Sequence, residues 1–270
     1  MNKTSTNSAI SSIDYSDAEI TEIDLFRNEY APALKAMQKL LPKNQLRFIN
    51  KGLPDLGASV EELLHEAYSL ISRPTGKFLA ITALEEASTA LGSSLVHKGY
   101  VSPEYFSARS HVSKEKIALT GSICAEFVGD LFRDTAGAFS NPKIKVGSGG
   151  ARLKFAIGSD WVLETRMTEI QVTTEDYTFD KLAERKFAEL LGPEKNLTNL
   201  LKKRANIRNL CLYSGQSGLP KDRFQNPTEL RNIALQCIYT LMMAIDVMES
   251  VEVPMLLGAC IKGIQASDCL

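Results

Sequence analysis

Over most of this 270-residue chain, apolar side chains recur three and four positions apart. That rhythm marks helices that bury one face. The first twenty residues break it, being rich in Ser, Thr, Asn and Asp, and read as a poorly ordered lead-in. A helical pattern starts near Asp24 and runs to about Leu41, with Pro42 as its stop. Asn50 to Ser59 reads as a loop punctuated by Gly and Pro. Ser59 then caps a helix, with Glu62 as its capping-box partner.

The segment GKFLAITALEEASTALGSSLVHKGY places Ala80, Ala83, Leu84, Ala87 and Leu91 on one stripe of small residues that a neighbouring helix can approach closely, and Gly99 terminates it. Ser102-Pro103 offers a cap and an N1 proline, so the next helix runs from Pro103 or restarts near Ser110, and continues to about residue 135. The rhythm then fails. Between residues 141 and 158, KIKV and ARLKFAI alternate around GSGG, which fits a two-stranded hairpin or a mobile insertion between helices. Asp160 to Thr174 fits strand and helix alike.

Helicity returns from Asp180, breaks at Gly192-Pro193, and resumes from about Asn196 to Leu212. Asn226-Pro227-Thr228-Glu229 combines a cap, an N1 proline and an N3 acid, and opens a long helix to about Ser250. A last short helix follows Val253-Pro254. The expected fold is mainly all-α: a single helical domain over residues 21–270, carrying a short Gly-rich insertion near 141–158 that could be a β-hairpin.

Composition narrows the function. Hydrophobic residues make up 44% and charged residues 23%, which fits a chain that buries a core. The formal net charge of −1 lacks the basic excess of a dedicated duplex binder, although a local basic patch is compatible with it. No apolar signal core opens the sequence, and no run approaches a spanning segment free of charge. Five scattered cysteines (Cys124, Cys211, Cys237, Cys260, Cys269) without a CxxC pair read as reduced core thiols, and together these features point to the cytoplasm.

Several chemistries are set aside. There is no P-loop, no GxGxxG and no GxSxG, and GSGGAR lacks a strand-to-helix setting. Glu85 and Glu86 are adjacent, so on a helix they diverge by about 100° and make no metal clamp. Di-iron bundles repeat Glu-x-x-His on two helices, which Glu62, His65 and Glu66 do not supply. Neither metal nor cofactor is expected. His97, near Gly99, reads as a helix C-terminal residue.

His111 is the strongest chemical candidate. It lies in SARSHVSKEKIA, among Arg109, Lys114, Glu115 and Lys116. An imidazole moves protons near neutral pH, and neighbouring cations hold a phosphate and the charge that develops on it. The plainer reading is a solvated, charged helix start. Arg204 and Arg208 stand four apart on one helix face, with Tyr213 at its end. They either bind phosphate and stack a base or pair with Glu85 or Glu86, whose burial in an alanine-rich stripe would demand a cation. The pairing is preferred.

From Leu63 to Leu119 the chain resembles the abortive-infection V (AbiV) family of bacterial phage-defence proteins, placed near the HEPN superfamily of helical bundles. Three blocks carry the likeness in order. They are the alanine-rich helix Phe78–Gly92 with Glu85-Glu86; Tyr105, Phe106, His111, Lys114, Lys116 and Ile117; and Arg208, Leu212, Tyr213, Gly218 and Pro227–Glu229. The resemblance implies a bundle with its core at about 59–250, a homodimer, and a defence role acting on RNA or translation. HEPN-like ribonucleases carry Arg-x4-6-His, which this chain lacks: His65 and His97 have no arginine in the window, and Arg109 is two residues before His111.

Two functions follow as expectations. One is a metal-independent ribonuclease in which His111 moves the proton, Arg109 and Lys114 hold phosphate, and Lys116, Arg204, Arg208 and Tyr213 contact RNA or the ribosome. The other is a non-catalytic helical module that senses or inhibits a protein partner. Neither reading involves a membrane.

Overall fold

A computed structural model describes residues 15–43, 52–134, 143–147, 150–157, 161–166, 181, 185–189, 196–212 and 223–268. The chain is mainly α-helical, with one small antiparallel sheet.

The first helix, α1 (Asp17–Leu25), begins earlier than the Asp24 expected from periodicity. Its start is set by a capping box: Ser16 Oγ accepts from the Glu19 N–H, and Glu19 Oε2 accepts from the Ser16 N–H at 2.8 Å. A π turn, Phe26–Tyr30, leads into α2 (Ala31–Gln38). Pro32 has no N–H to continue the ladder, and the Ala31 N–H reaches back five residues to the Phe26 carbonyl. The turn aims Phe26 inward, where it stacks on Tyr68 with centroids 4.3 Å apart.

The helix expected from Ser59 instead begins at Leu53 (α3, Leu53–Ser69). Pro54 sits in the first turn, where its missing N–H costs nothing, and Asp55 at N3 accepts from the Gly52 N–H at 2.9 Å. Ser59 is therefore interior to the helix, and most of the expected loop is its first two turns.

Helix α4 (Pro74–His97) is the axis of the bundle. Fifteen of its residues are buried, among them Ala80, Ala83, Ala87, Ala90, Gly92 and Ser93. Small side chains all round let α3, the long helix near the C-terminus and the helix after Ser110 pack on different faces. Gly76 fits where no side chain can: a Cβ there would stand 2.2 Å from the Leu70 carbonyl oxygen. Gly76→Ala is expected to destabilise the fold by about 1–3 kcal/mol, the usual cost of overpacking. A shift in the urea midpoint at unchanged m-value measures it, and a midpoint equal to wild type refutes it.

Gly99 ends the helix at φ +74. Of the two starts open for the next helix, the later one is observed. Pro103 lies in a turn, and α5 (His111–Asp134) follows Ser110, whose Oγ accepts from the Ser113 N–H at 3.2 Å.

The Gly-rich stretch holds β1 (Lys143–Gly147) and β2 (Gly150–Ile157), paired antiparallel from Lys143 opposite Lys154 to Gly147 opposite Gly150. A third strand, β3 (Trp161–Thr165), comes from the ambiguous segment and pairs with the other edge of β2. Ala151, Leu153 and Phe155 are fully buried and join the same core as the helices. Arg166, just after β3, bonds Glu249 at 2.9 Å.

Asn196 caps α6 (Leu197–Leu212) through the Asn199 N–H. Asn226 caps α7 (Pro227–Glu249) through the Glu229 N–H, as its four-residue start signal implies. The last helix is α8 (Met255–Asp268). Contrary to the expectation that no run approaches a spanning segment, α7 is long and apolar enough to cross a membrane, with a mean hydropathy of 1.2 over an 18-residue window. In this fold 72% of that window is buried, with Leu230 to Val247 packed on α4 and α5.

Cys124, Cys211, Cys237 and Cys260 are buried and unlinked, and Cys269 lies outside the described residues. Cys124 and Cys260 meet at 3.6 Å between α5 and α8. That thiol contact and burial push the Cys124 thiol well up, and burial does the same to Cys237, so both act as small packing groups.

Candidate functional site

Three helices converge on Glu85. It sits mid-way along α4, only 3% exposed, where an unpaired carboxylate would be strongly disfavoured. Its two oxygens are answered from two other helices. His111, the first residue of α5, places Nδ1 2.9 Å from Oε1. Arg208, on α6, places an NH1 3.1 Å from Oε2. Lys114, one turn along α5 from His111, brings Nζ to 4.0 Å from Glu85 Oε2 and 3.9 Å from Glu86 Oε1. Lys114 thus reaches both of the adjacent glutamates. Among the described residues no three His, Cys, Asp or Glu side chains gather as metal ligands.

The hydrogen-bond pattern assigns the imidazole tautomer. Arg208 NH1 is also 3.3 Å from His111 Nδ1, but a guanidinium nitrogen only donates. Nδ1 cannot both accept from Arg208 and donate to Glu85. The shorter contact, to an anion, decides: Nδ1–H donates to Glu85 and Arg208 donates to the other carboxylate oxygen. In the neutral ring Nε2 is then the nitrogen with the lone pair. The side chain it belongs to is 46% exposed, and among the described residues nothing bonds that nitrogen. The face of Phe78, two turns before Glu85 on α4, supports the Arg208 guanidinium 5.5 Å away.

A second rung lies beneath the first. Glu115 follows His111 by one turn of α5, Arg204 precedes Arg208 by one turn of α6, and Arg204 Nε meets Glu115 Oε2 at 3.1 Å. Burial holds the Glu115 carboxyl above its ordinary range, with Arg204 opposing the shift. The linkage sign follows. The folded chain holds the Glu115 proton to higher pH than the unfolded chain, so this contribution is complete below about pH 4.5 and is lost as pH rises through the folded value. Glu115→Gln is therefore expected to gain stability relative to wild type as pH is raised from 4 toward 7. Parallel urea midpoints across that range would contradict it.

The structure thus brings together His111, Lys114, Arg204, Arg208, Glu85 and Glu86. The preferred pairing holds for Arg208, which meets Glu85. Arg204 pairs instead with Glu115. Two expected residues are not gathered. Arg109 is exposed, lines a separate hollow with Phe106 and Ser93, and among the described residues makes no ion pair. Five residues along the helix from His111, Lys116 is turned about 140° away and lies 5.0 Å from the Tyr105 ring. Tyr213 lies outside the described residues.

His97 and His65 stay apart from the cluster; His65 lies against Phe26. An arginine 97 residues after His111, on another helix, stands beside its ring. Compared with protein-family models, curated proteins and solved structures, the chain matches none.

Proposed function

We propose that this chain is a metal-independent endoribonuclease of the abortive-infection, phage-defence kind, working as a homodimer, with its site at the α4–α5–α6 junction. One observation carries the reading: a buried carboxylate orients an exposed imidazole through Nδ1, beside an arginine and a lysine. The arrangement of base, orienting acid and cations suits proton transfer next to a phosphate. His111 Nε2 takes the proton of a ribose 2′-hydroxyl. The 2′-oxygen attacks phosphorus, the bond to the 5′-oxygen breaks, and that oxygen is protonated from solvent. Arg208 and Lys114 bear the charge that builds on the phosphoryl oxygens. The products are a 2′,3′-cyclic phosphate and a 5′-hydroxyl.

The resemblance to AbiV proteins and the spatial meeting of Arg208 with His111 support this reading over a solvated helix start. A second reading, a module that docks on a protein partner, draws on one observation. Between α7 and α8, Val251, Val253 and Met255 are exposed by 94%, 37% and 61%.

The experiment is incubation with total RNA and with ribosomes in the presence of EDTA. Fragments ending in 2′,3′-cyclic phosphate are expected. Intact RNA, with the protein bound to ribosomes or to neither, would overturn the ribonuclease reading in favour of the docking module.

A further inference from the structure

Past the Glu85 cluster, α4 carries a second buried polar group, and this one the fold leaves unanswered. Thr82, Ser88, Thr89 and Ser94 each turn a hydroxyl back to donate to the carbonyl four residues earlier, at 2.7–2.8 Å. Ser93 does not. It is 1% exposed, its Oγ is buried, and among the described residues nothing bonds that oxygen. A hydroxyl shut away from water without a partner is destabilising. The helix offers a serine an easy remedy in its own backbone, which Ser93 leaves unused.

Ser93 lines a hollow. With Val96 it forms the α4 side of a cavity of about 260 Å³, and Pro103, Phe106, Ala108 and Arg109, from the loop before α5, form the other side. The Phe106 ring is held there by close packing on α4: a Cβ on Gly92 would stand 2.6 Å from it. The walls are therefore largely apolar, with one buried hydroxyl among them. Pro103 and Arg109 are exposed at the rim, and Arg109 makes no ion pair among the described residues. The space is smaller than the clefts of about 300–1,000 Å³ that enclose a whole drug-sized ligand. It admits one ring system and leaves the rest of the ligand outside, beside Arg109.

We propose that this hollow seats one nucleobase, with Ser93 Oγ bonded to its polar edge and Arg109 on the adjoining phosphate. The class of ligand follows from three features taken together. The walls suit a flat apolar body, the buried hydroxyl needs a donor or acceptor on the inner edge of that body, and the rim cation suits an anion outside. A nucleotide supplies all three. Water alone supplies only the second, and a fatty acid only the first and third. Position adds a further reason, which rests on the ribonuclease reading. Arg109 precedes His111 by two residues, a chain span of at most about 7 Å. A strand lying over His111 therefore brings a neighbouring nucleotide to the hollow, which is the subsite for a base beside the cleaved bond.

The test reads binding apart from cleavage. The 5′-monophosphates of uridine and adenosine, and the two nucleosides, have no phosphodiester to cleave. Each is titrated into isotope-labelled protein, and amide NMR shifts give both affinity and place. Shifts centred on Val96 and on Ala108-Arg109 are expected. Ser93→Ala should lower affinity for the better monophosphate by about 3–10-fold, the usual worth of one hydrogen bond. Its thermal stability should equal or exceed that of wild type, whereas loss of a hydroxyl that held the fold together would lower it. Arg109→Gln should remove the preference for nucleotide over nucleoside. Ser93→Val, which puts methyl groups into the hollow, should weaken binding of an uncleavable 2′-O-methyl oligonucleotide as well. The proposal is overturned by an absence of shifts at these residues, or by equal nucleotide affinity in wild type, S93A and R109Q. Loss of mononucleotide binding in folded S93V with oligonucleotide affinity unchanged overturns the place of the hollow on RNA and makes it a site for a free nucleotide. Intact RNA from a protein that binds nucleotide in the hollow would remove the ribonuclease reading and leave the base site standing.

Discussion

Glu85→Ala is expected to destabilise the chain by about 2–3 kcal/mol, and Glu85→Gln by less. Removing one partner from a buried ionic cluster strands the others, which typically costs about 3–5 kcal/mol when they are fully buried. Here the stranded groups are partly wet: Arg208 is 24% exposed, Lys114 12% and His111 46%, so the lower figure applies. Truncation also removes the only described acceptor of the His111 Nδ1–H and leaves a void among α4, α5 and α6. Glutamine keeps the volume and one acceptor oxygen, but turns an amide toward a cation.

A double-mutant cycle isolates the cause. If stranded charge dominates, Arg208→Leu in the Glu85→Ala background should recover part of the loss, because the second removal takes away a cation that lacks its anion. Urea denaturation of the four proteins measures it. A Glu85→Ala midpoint within error of wild type, or strictly additive losses, would show that the cluster does not bind the three helices together.

What was legible in the chain depended on whether a signal was local. Asn226-Pro227-Thr228-Glu229 marks a helix start through atoms within four residues, and α7 begins there. Gly99 and Ser110 likewise bound α4 and α5 through their own backbone and side-chain geometry. The missed start of α3 was local too, but proline has two meanings. Pro54 reads as a breaker in a loop and as a first-turn residue once Asp55 is seen to hold the Gly52 N–H. Residues 17–23 hid α1 because only Glu22 and Ile23 are buried, so little apolar periodicity marks it. Alternation in the Gly-rich insertion fits two strands, but its glycines fit a mobile insertion as well, and pairing decides between them. The third strand needed an edge of β2 to pair with, which no window of sequence displays.

The site divides the same way. That Glu85 needs a cation follows from its place in an alanine-rich stripe. Which cation it takes does not, because Arg208 arrives from 123 residues away. Arg204 shows the limit: its periodicity with Arg208 correctly put the two on one face, but its partner is Glu115 on α5 rather than an acid on α4.

His111→Ala is expected to lower RNA cleavage by about 10²–10⁴-fold, the usual worth of a general acid or base, and to change stability by less than about 1 kcal/mol. The two readouts should separate here because His111 is the most exposed member of the cluster. Without it, Glu85 still has Arg208 and Lys114, so no buried charge is stranded. At Glu85 they should move together, since the carboxylate both neutralises the cations and fixes the imidazole tautomer. Arg208→Lys distinguishes charge from geometry. It preserves the positive charge but loses the guanidinium that reaches Glu85 while lying over Phe78, so cleavage should fall with a modest loss of stability. Gel assays of RNA cleavage in EDTA, paired with thermal denaturation of each variant, give both numbers. Undiminished cleavage by folded His111→Ala protein would remove His111 as the proton-transfer group. A His111→Ala protein that is destabilised as much as Glu85→Ala would instead make the imidazole one more structural partner of the buried carboxylate.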